Sequence, residues 1–110
     1  MNNYNYKISE YFLEQLEDYE QRFPNIKKDI YTELKNFDTK TAQFLGQKLY
    51  KIRINSSDLQ TGKSGGFRLI VLLVSNKDVL VPITLYFKGD KENISKTELQ
   101  RHLKQIYKEF

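Results

Sequence analysis

Leu69 to Val74 is an unbroken run of leucine, isoleucine and valine. No other stretch narrows the fold so far. Six branched aliphatic residues bounded by turn-forming residues read as a strand buried on both faces. A strand of that kind needs paired neighbours and a cover on each side. The run extends from Phe67 to Ser75, and Asn76 to Asp78 (NKD) reads as a turn. Val79 to Phe87 then reads as its antiparallel partner, giving a hairpin. Pro82 inside the partner removes a ladder hydrogen bond, which predicts an edge position or a bulge there. Upstream, Leu49 to Ile54 (LYKIRI) alternates with period two. Leu49, Lys51 and Arg53 share one phase, and Tyr50, Ile52 and Ile54 the other, so one face of this strand carries two cations.

Covers for the sheet are found on either side. Asn5 to Ile8 reads as a short first strand, and Ser9 can cap the helix after it. Phe12, Leu16, Tyr19 and Phe23 recur at helical spacing. Pro24 and Asn25 break the pattern. A second stripe follows at Ile26, Ile30, Leu34 and Phe37, so the two segments predict an antiparallel helical hairpin. Thr41 to Leu45 reads as a short third helical turn. At the other end, Ser95 to Glu98 (SKTE) is a capping-box pattern opening a helix with Leu99, Leu103, Ile106 and Phe110 on one face. The sum is an α+β class: an N-terminal strand and helical hairpin, a small, mainly antiparallel twisted sheet, and a C-terminal helix. Residues 1–110 read as one domain.

The chain has no cysteine and one histidine, His102, placed mid-helix between cationic neighbours. Disulfide frameworks and thiolate metal sites are excluded, and a Ser-His-Asp arrangement cannot be assembled around His102. No metal site and no cofactor are expected. The GKS of TGKSGG imitates a phosphate loop, but Ser57 stands where that loop requires its first glycine, and a strand rather than a helix follows. The N-terminus lacks the basic and apolar regions of a secretory signal, and no apolar run is long enough to span a membrane. These features read as a cytoplasmic protein. The net charge of +4 favours an anionic partner, RNA foremost.

The cations themselves point to a site. Lys51 and Arg53 lie on one strand face, Lys63 in the glycine loop, Arg68 at the mouth of the apolar strand, and Lys88 at the end of the next. An arginine among apolar neighbours is costly without an anion or a carboxylate. Gly65 and Gly66 let backbone approach a phosphate closely. Tyr86 and Phe67 are placed either to stack an RNA base or to pack in the core.

Two segments, LYKIRINSSDLQTGKSGGFRLIVLL and ITLYFKGDKENISKTEL, resemble the RelE/ParE toxin superfamily, and within it the RelE-like and HigB-like toxins of bacterial type II toxin–antitoxin pairs. Together they cover about the C-terminal half. The resemblance implies a RelE-like fold and a ribosome-dependent mRNA endonuclease, an mRNA interferase, held inactive by a cognate antitoxin. Its partners would be that antitoxin and mRNA on the ribosome. Carried over by position, Lys51 and Arg53 match the family's basic pair, Lys63 the lysine of GKSGG, Arg68 the arginine after the aromatic, and Lys88 the cation closing the last strand. Leu72 and Leu73 stand where members often carry tyrosine, and no histidine matches those of some HigB-type enzymes. Lysine would then replace histidine in proton transfer, with Lys63 or Lys51 as base and Arg68 and Arg53 as clamps. The alternative is a ParE-like, gyrase-directed toxin or a non-catalytic RNA- or protein-binding module of the same fold.

Overall fold

The structure is a computed structural model that describes residues 4–59 and 65–110. Its elements are β1 (Asn5–Tyr6), α1 (Glu10–Glu20), α2 (Ile26–Lys35), β2 (Gln43–Gly46), β3 (Leu49–Ile54), β4 (Phe67–Val74), β5 (Val79–Phe87) and α3 (Lys96–Glu109). One five-stranded sheet runs in the order β1-β5-β4-β3-β2. All its pairings are antiparallel except β1 with β5. The apolar strand β4 is therefore the centre of the sheet, as a run buried on both faces requires.

The two faces separate by residue parity. Ile52, Ile54, Phe67, Leu69, Val71 and Leu85 pack against the stripe Phe12, Leu16, Phe23, Ile26, Ile30 and Leu34 of the helical hairpin. On the opposite face Leu49, Ile70, Val81 and Ile83 pack against Leu103 and Ile106 of α3. Both caps anticipated from sequence are formed. Ser9 Oγ accepts from Phe12 N at 2.9 Å, and Ser95 Oγ accepts from Glu98 N at 3.1 Å. Glu109, at the end of α3, accepts from the backbone N–H groups of Glu10 and Tyr11 at 2.8 and 2.9 Å. A carboxylate at a helix N-terminus satisfies orphan donors and complements the helix dipole, so α3 is tied to the start of α1.

Pro82 sits beside a bulge. Ile70 pairs with Thr84 and Val71 with Pro82, leaving Ile83 as the additional residue. The bulge inverts the alternation of β5. Leu80 faces the helical hairpin before it and Leu85 after it, so Tyr86 is turned to the face of α3. The pairing of β1 with β5 covers Val79 and Leu80. Farther along, side chains of α1 take over that flank: Gln15 Nε2 donates to Ile83 O at 3.3 Å, and Phe87 N donates to Tyr19 Oη at 3.3 Å.

Two expectations are corrected. The segment expected as a helical turn at Thr41–Leu45 is the edge strand β2, whose Gln43 and Phe44 pair with Lys51 and Tyr50. Gly46, Gln47 and Lys48 all take positive φ, closing a tight reversal into β3. Pairing with β3 outweighs the weak helical preference of so short a segment. Phe110 leaves the α3 stripe. It is 49% exposed, with Lys7 Nζ 4.3 Å from its ring centroid. No helix among the described residues is long and apolar enough to cross a membrane.

Candidate RNA-cleavage site

The site exists because α3 covers only part of its face. Leu49, Ile70 and Val81 lie beneath α3. Two residues on, with the same parity, come Lys51 and then Arg53 on β3, and Arg68 on β4. Register places Arg53 opposite Arg68, and Arg68 opposite Tyr86. Residues directly opposite one another share a face. A row of Arg53, Arg68 and Tyr86 therefore crosses three strands at the uncovered end of the sheet.

Two arginines directly opposed are an unfavourable cross-strand pair, and one of them is largely withdrawn from water. Arg68 is 7% exposed, and its Nη1 donates to Phe67 O at 3.2 Å. Burial, with the charge of Arg53, holds the Arg68 guanidinium below its ordinary value, while Tyr86 acts in the other direction. Arg68 nevertheless remains a cation at any physiological pH.

A cavity of about 480 Å³ opens over these groups, lined by Lys51, Arg53, Arg68 and Lys88 together with the carboxylate-bearing Glu33, Asp38 and Glu92. Four of the five anticipated catalytic cations thus meet at one opening. Lys51 is half-buried, and burial holds its ammonium below the usual lysine value, reinforced by the charges of Arg68, Lys88 and Arg53. Desolvation and neighbouring like charge both disfavour the charged form. Both lysines are held by the turn after β5. Lys51 Nζ donates to Asn93 Oδ1 at 3.1 Å, and Lys88 Nζ donates to Glu92 O at 3.3 Å. Lys63, the fifth candidate, lies outside the described residues.

The aromatic and glycine candidates separate. Phe67 is fully buried on the opposite face, edge-to-face with Tyr19 and Phe23 at 5.2 and 4.9 Å between ring centroids. It is a core residue with no ring face open to a base, which corrects its assignment as an RNA contact. The parity rule reveals this: Phe67 is one residue from Arg68, so the two cannot share a face. Tyr86 does lie on the cationic face. It is 4% exposed, Lys91 Nζ stands 5.8 Å from its ring centroid, and its hydroxyl has no hydrogen-bond partner among the described residues. Burial pushes that hydroxyl upward in pKa and Arg68 draws it down. Gly66 is required by packing. A Cβ there would stand 2.0 Å from Ile54 O, on the neighbouring strand. Gly65 immediately precedes it and is half-buried.

A family model for the "RelE toxin of RelE / RelB toxin-antitoxin system" matches residues 21–110. The chain belongs to the RelE toxin family. Two solved structures share its fold. An arginine-to-alanine double mutant of the E. coli RelE toxin in the free state aligns with a TM-score of 0.56 at 18% identity, over 94% of this chain and 97% of that one. The isolated E. coli RelE toxin aligns with a TM-score of 0.54 at 20% identity, over 94% of this chain and 99% of that one. No curated protein sequence matches the chain. Membership of the RelE family agrees with the α+β architecture.

Two features of this RelE-family chain escape sequence reading. Asn93 and the Glu92 carbonyl reach the lysines only because the chain turns back after β5. His102 is held on α3 away from that cavity, its Nδ1 2.5 Å from Tyr11 Oη. Burial, followed by the charges of Arg101 and Lys91, keeps His102 below the usual imidazole value, with Glu98 opposing. Among the described residues no group of His, Cys, Asp and Glu is arranged to hold a metal ion.

Proposed function

We propose that the protein is a ribosome-dependent mRNA endonuclease acting as the toxin of a toxin–antitoxin pair. The observation that carries this reading is the meeting of Lys51, Arg53, Arg68 and Lys88 at one opening on the uncovered end of the sheet. RNA cleavage by its own 2′-hydroxyl needs three things: a base for the 2′-proton, cations for the charge gathering on phosphorus, and a proton for the departing 5′-oxygen. Lys51 suits the first, since its neutral form is more accessible than that of an ordinary lysine. Neutral Lys51 takes the 2′-proton as O2′ attacks phosphorus. Arg68 and Arg53 stabilise the pentacoordinate phosphorane, a task for groups that keep their charge. The Lys88 ammonium gives its proton to the 5′-oxygen as the P–O5′ bond breaks. The products are a 2′,3′-cyclic phosphate and a free 5′-hydroxyl. Tyr86 lies opposite Arg68 in the same row across the sheet.

The cations Lys51, Arg53, Arg68 and Lys88 at this opening also suit an acidic segment of a cognate antitoxin. Such a segment would be steered by charge and fixed by arginine–carboxylate pairing. Its affinity falls as salt rises, since exposed attraction is screened. Unchanged affinity at high salt would instead favour steric blockade through the helical hairpin. The nuclease reading is tested by primer extension on a translated reporter mRNA with purified protein, with and without ribosomes. Cuts that need ribosomes and vanish in Lys51→Ala support it. Absence of cuts, together with inhibition of gyrase supercoiling, would support the ParE-like alternative.

A further inference from the structure

The turn between β5 and α3 begins with one member of the cation set, Lys88, and reaches across to a second, Lys51. Lys51 Nζ donates to Asn93 Oδ1 and Lys88 Nζ to Glu92 O. The turn is itself fixed. Asp90 N and Lys91 N both donate to Phe87 O, at 3.0 and 3.2 Å. Arg22 pairs with Asp90 at 2.9 Å, and Lys91 pairs with Glu98 of α3. Ile94 packs against the core beneath α3, and Ser95 caps that helix. Asn93 is thus a neutral acceptor on an anchored turn, placed against a flexible lysine in a cavity lined by the cations Arg53, Arg68 and Lys88 and by the carboxylates of Glu33, Asp38 and Glu92.

We infer that Asn93 is a positioning residue that aims the Lys51 amine into the cation cavity and, being uncharged, does so without trapping it as an ammonium. This deepens the nuclease reading and rests on it. A lysine side chain has four rotatable bonds, and repulsion from Arg53, Arg68 and Lys88 drives it toward solvent. One amide oxygen opposes that drift. A carboxylate there would hold the amine more strongly, but as an ion pair that favours the protonated form and withdraws the base. An amide provides direction without that cost.

The test combines two readouts on Asn93→Asp and Asn93→Ala. Asn93 is exposed, so both variants are expected to fold, and a thermal melt checks this. The first readout is the ionisation of Lys51 in the free protein, followed by NMR of side-chain-labelled lysine and assigned by loss of the signal in Lys51→Ala. The second is the pH–rate profile of ribosome-dependent cleavage. Asn93→Asp should move the Lys51 midpoint upward by roughly 0.2–0.7 pH unit, the size produced by an exposed ion pair. The ascending limb of the rate profile, which reports deprotonation of the base, should follow by the same amount. Asn93→Ala should move the midpoint downward and lower the plateau rate by about tenfold to a hundredfold, as misplacement of a reacting group does. A merely structural role would not move the Lys51 midpoint in opposite directions in the two variants. If the Lys51 midpoint is indifferent to both substitutions, the inference is overturned. If the midpoint moves while the rate limb stays, Asn93 holds Lys51 as inferred and the assignment of Lys51 as base is what fails.

Discussion

Replacing Tyr86 with phenylalanine should make the protein more stable and a poorer toxin. Tyr86 is 4% exposed and its hydroxyl has no hydrogen-bond partner among the described residues. A buried hydroxyl left unpaired costs about 1–3 kcal/mol. Phenylalanine keeps the ring beside Lys91 and removes only the oxygen, so that cost is recovered with little repacking. Globular proteins unfold with roughly 2.1 cal/mol/K of entropy per residue, which for this chain length gives about 0.23 kcal/mol/K. Tyr86→Phe should therefore raise Tm by about 4–13 °C. The assay is a calorimetric or circular-dichroism melt of both proteins in the same buffer, followed by the reporter cleavage assay. On the reading that the hydroxyl is kept for an RNA group, cleavage should fall by about tenfold or more, the lower range for a lost donor at a developing charge. A Tm that is unchanged or lowered refutes the reasoning, because the hydroxyl would then have a satisfying partner. A stabilised and fully active variant would remove Tyr86 from the site.

Other outcomes follow from the packing and charge. Leu103→Ala, which opens a hole between α3 and the sheet at a buried position, should cost about 2–5 kcal/mol, read by urea denaturation. Gly66→Ala forces a methyl against Ile54 O and should cost at least about 1–3 kcal/mol by overpacking; a melt at the wild-type temperature would show that β3 and β4 part there freely. The lowered pKa of Lys51 makes stability depend on pH with a definite sign. Between its native value and the ordinary lysine value, the unfolded chain binds more protons at this residue, so its contribution rises with pH. Subtracting the pH–stability profile of Lys51→Met from that of wild type should show this rise on the alkaline side, and a fall would contradict it.

The parts of the molecule legible in sequence are those set by local pattern. The stripes of α1 and α2, the caps at Ser9 and Ser95, and the central strand β4 follow from spacing and residue chemistry that act within a few residues. The shared face of Lys51 and Arg53 was legible for a related reason, since period two places them together. What was not legible depends on partners distant in the chain. Gln43 and Phe44 form a strand because β3 offers an edge, and nothing within Thr41–Leu45 encodes that. Residues Asn5 and Tyr6 join the sheet in parallel with β5, across more than seventy intervening positions. Tyr86 reaches the cationic face only because the bulge at Ile83 inverts the parity of β5. An edge position or a bulge was anticipated at Pro82; the bulge is what forms, and its consequence for Tyr86 emerges only with the register. Phe67 was open to two readings because aromatics suit both stacking and cores. One residue of parity against Arg68 decides between them once the strand is placed.

The role proposed for Arg68, buried at the mouth of an apolar strand, is to hold the scissile phosphate. Its most direct measurement is single-turnover cleavage of a translated mRNA on purified ribosomes by Arg68→Ala, with an unfolding transition recorded on the same preparation. The variant should fold cooperatively, still bind ribosomes and cleave at least about a hundredfold more slowly, the loss expected for one transition-state donor. A folded Arg68→Ala protein that cuts at the wild-type rate would contradict it.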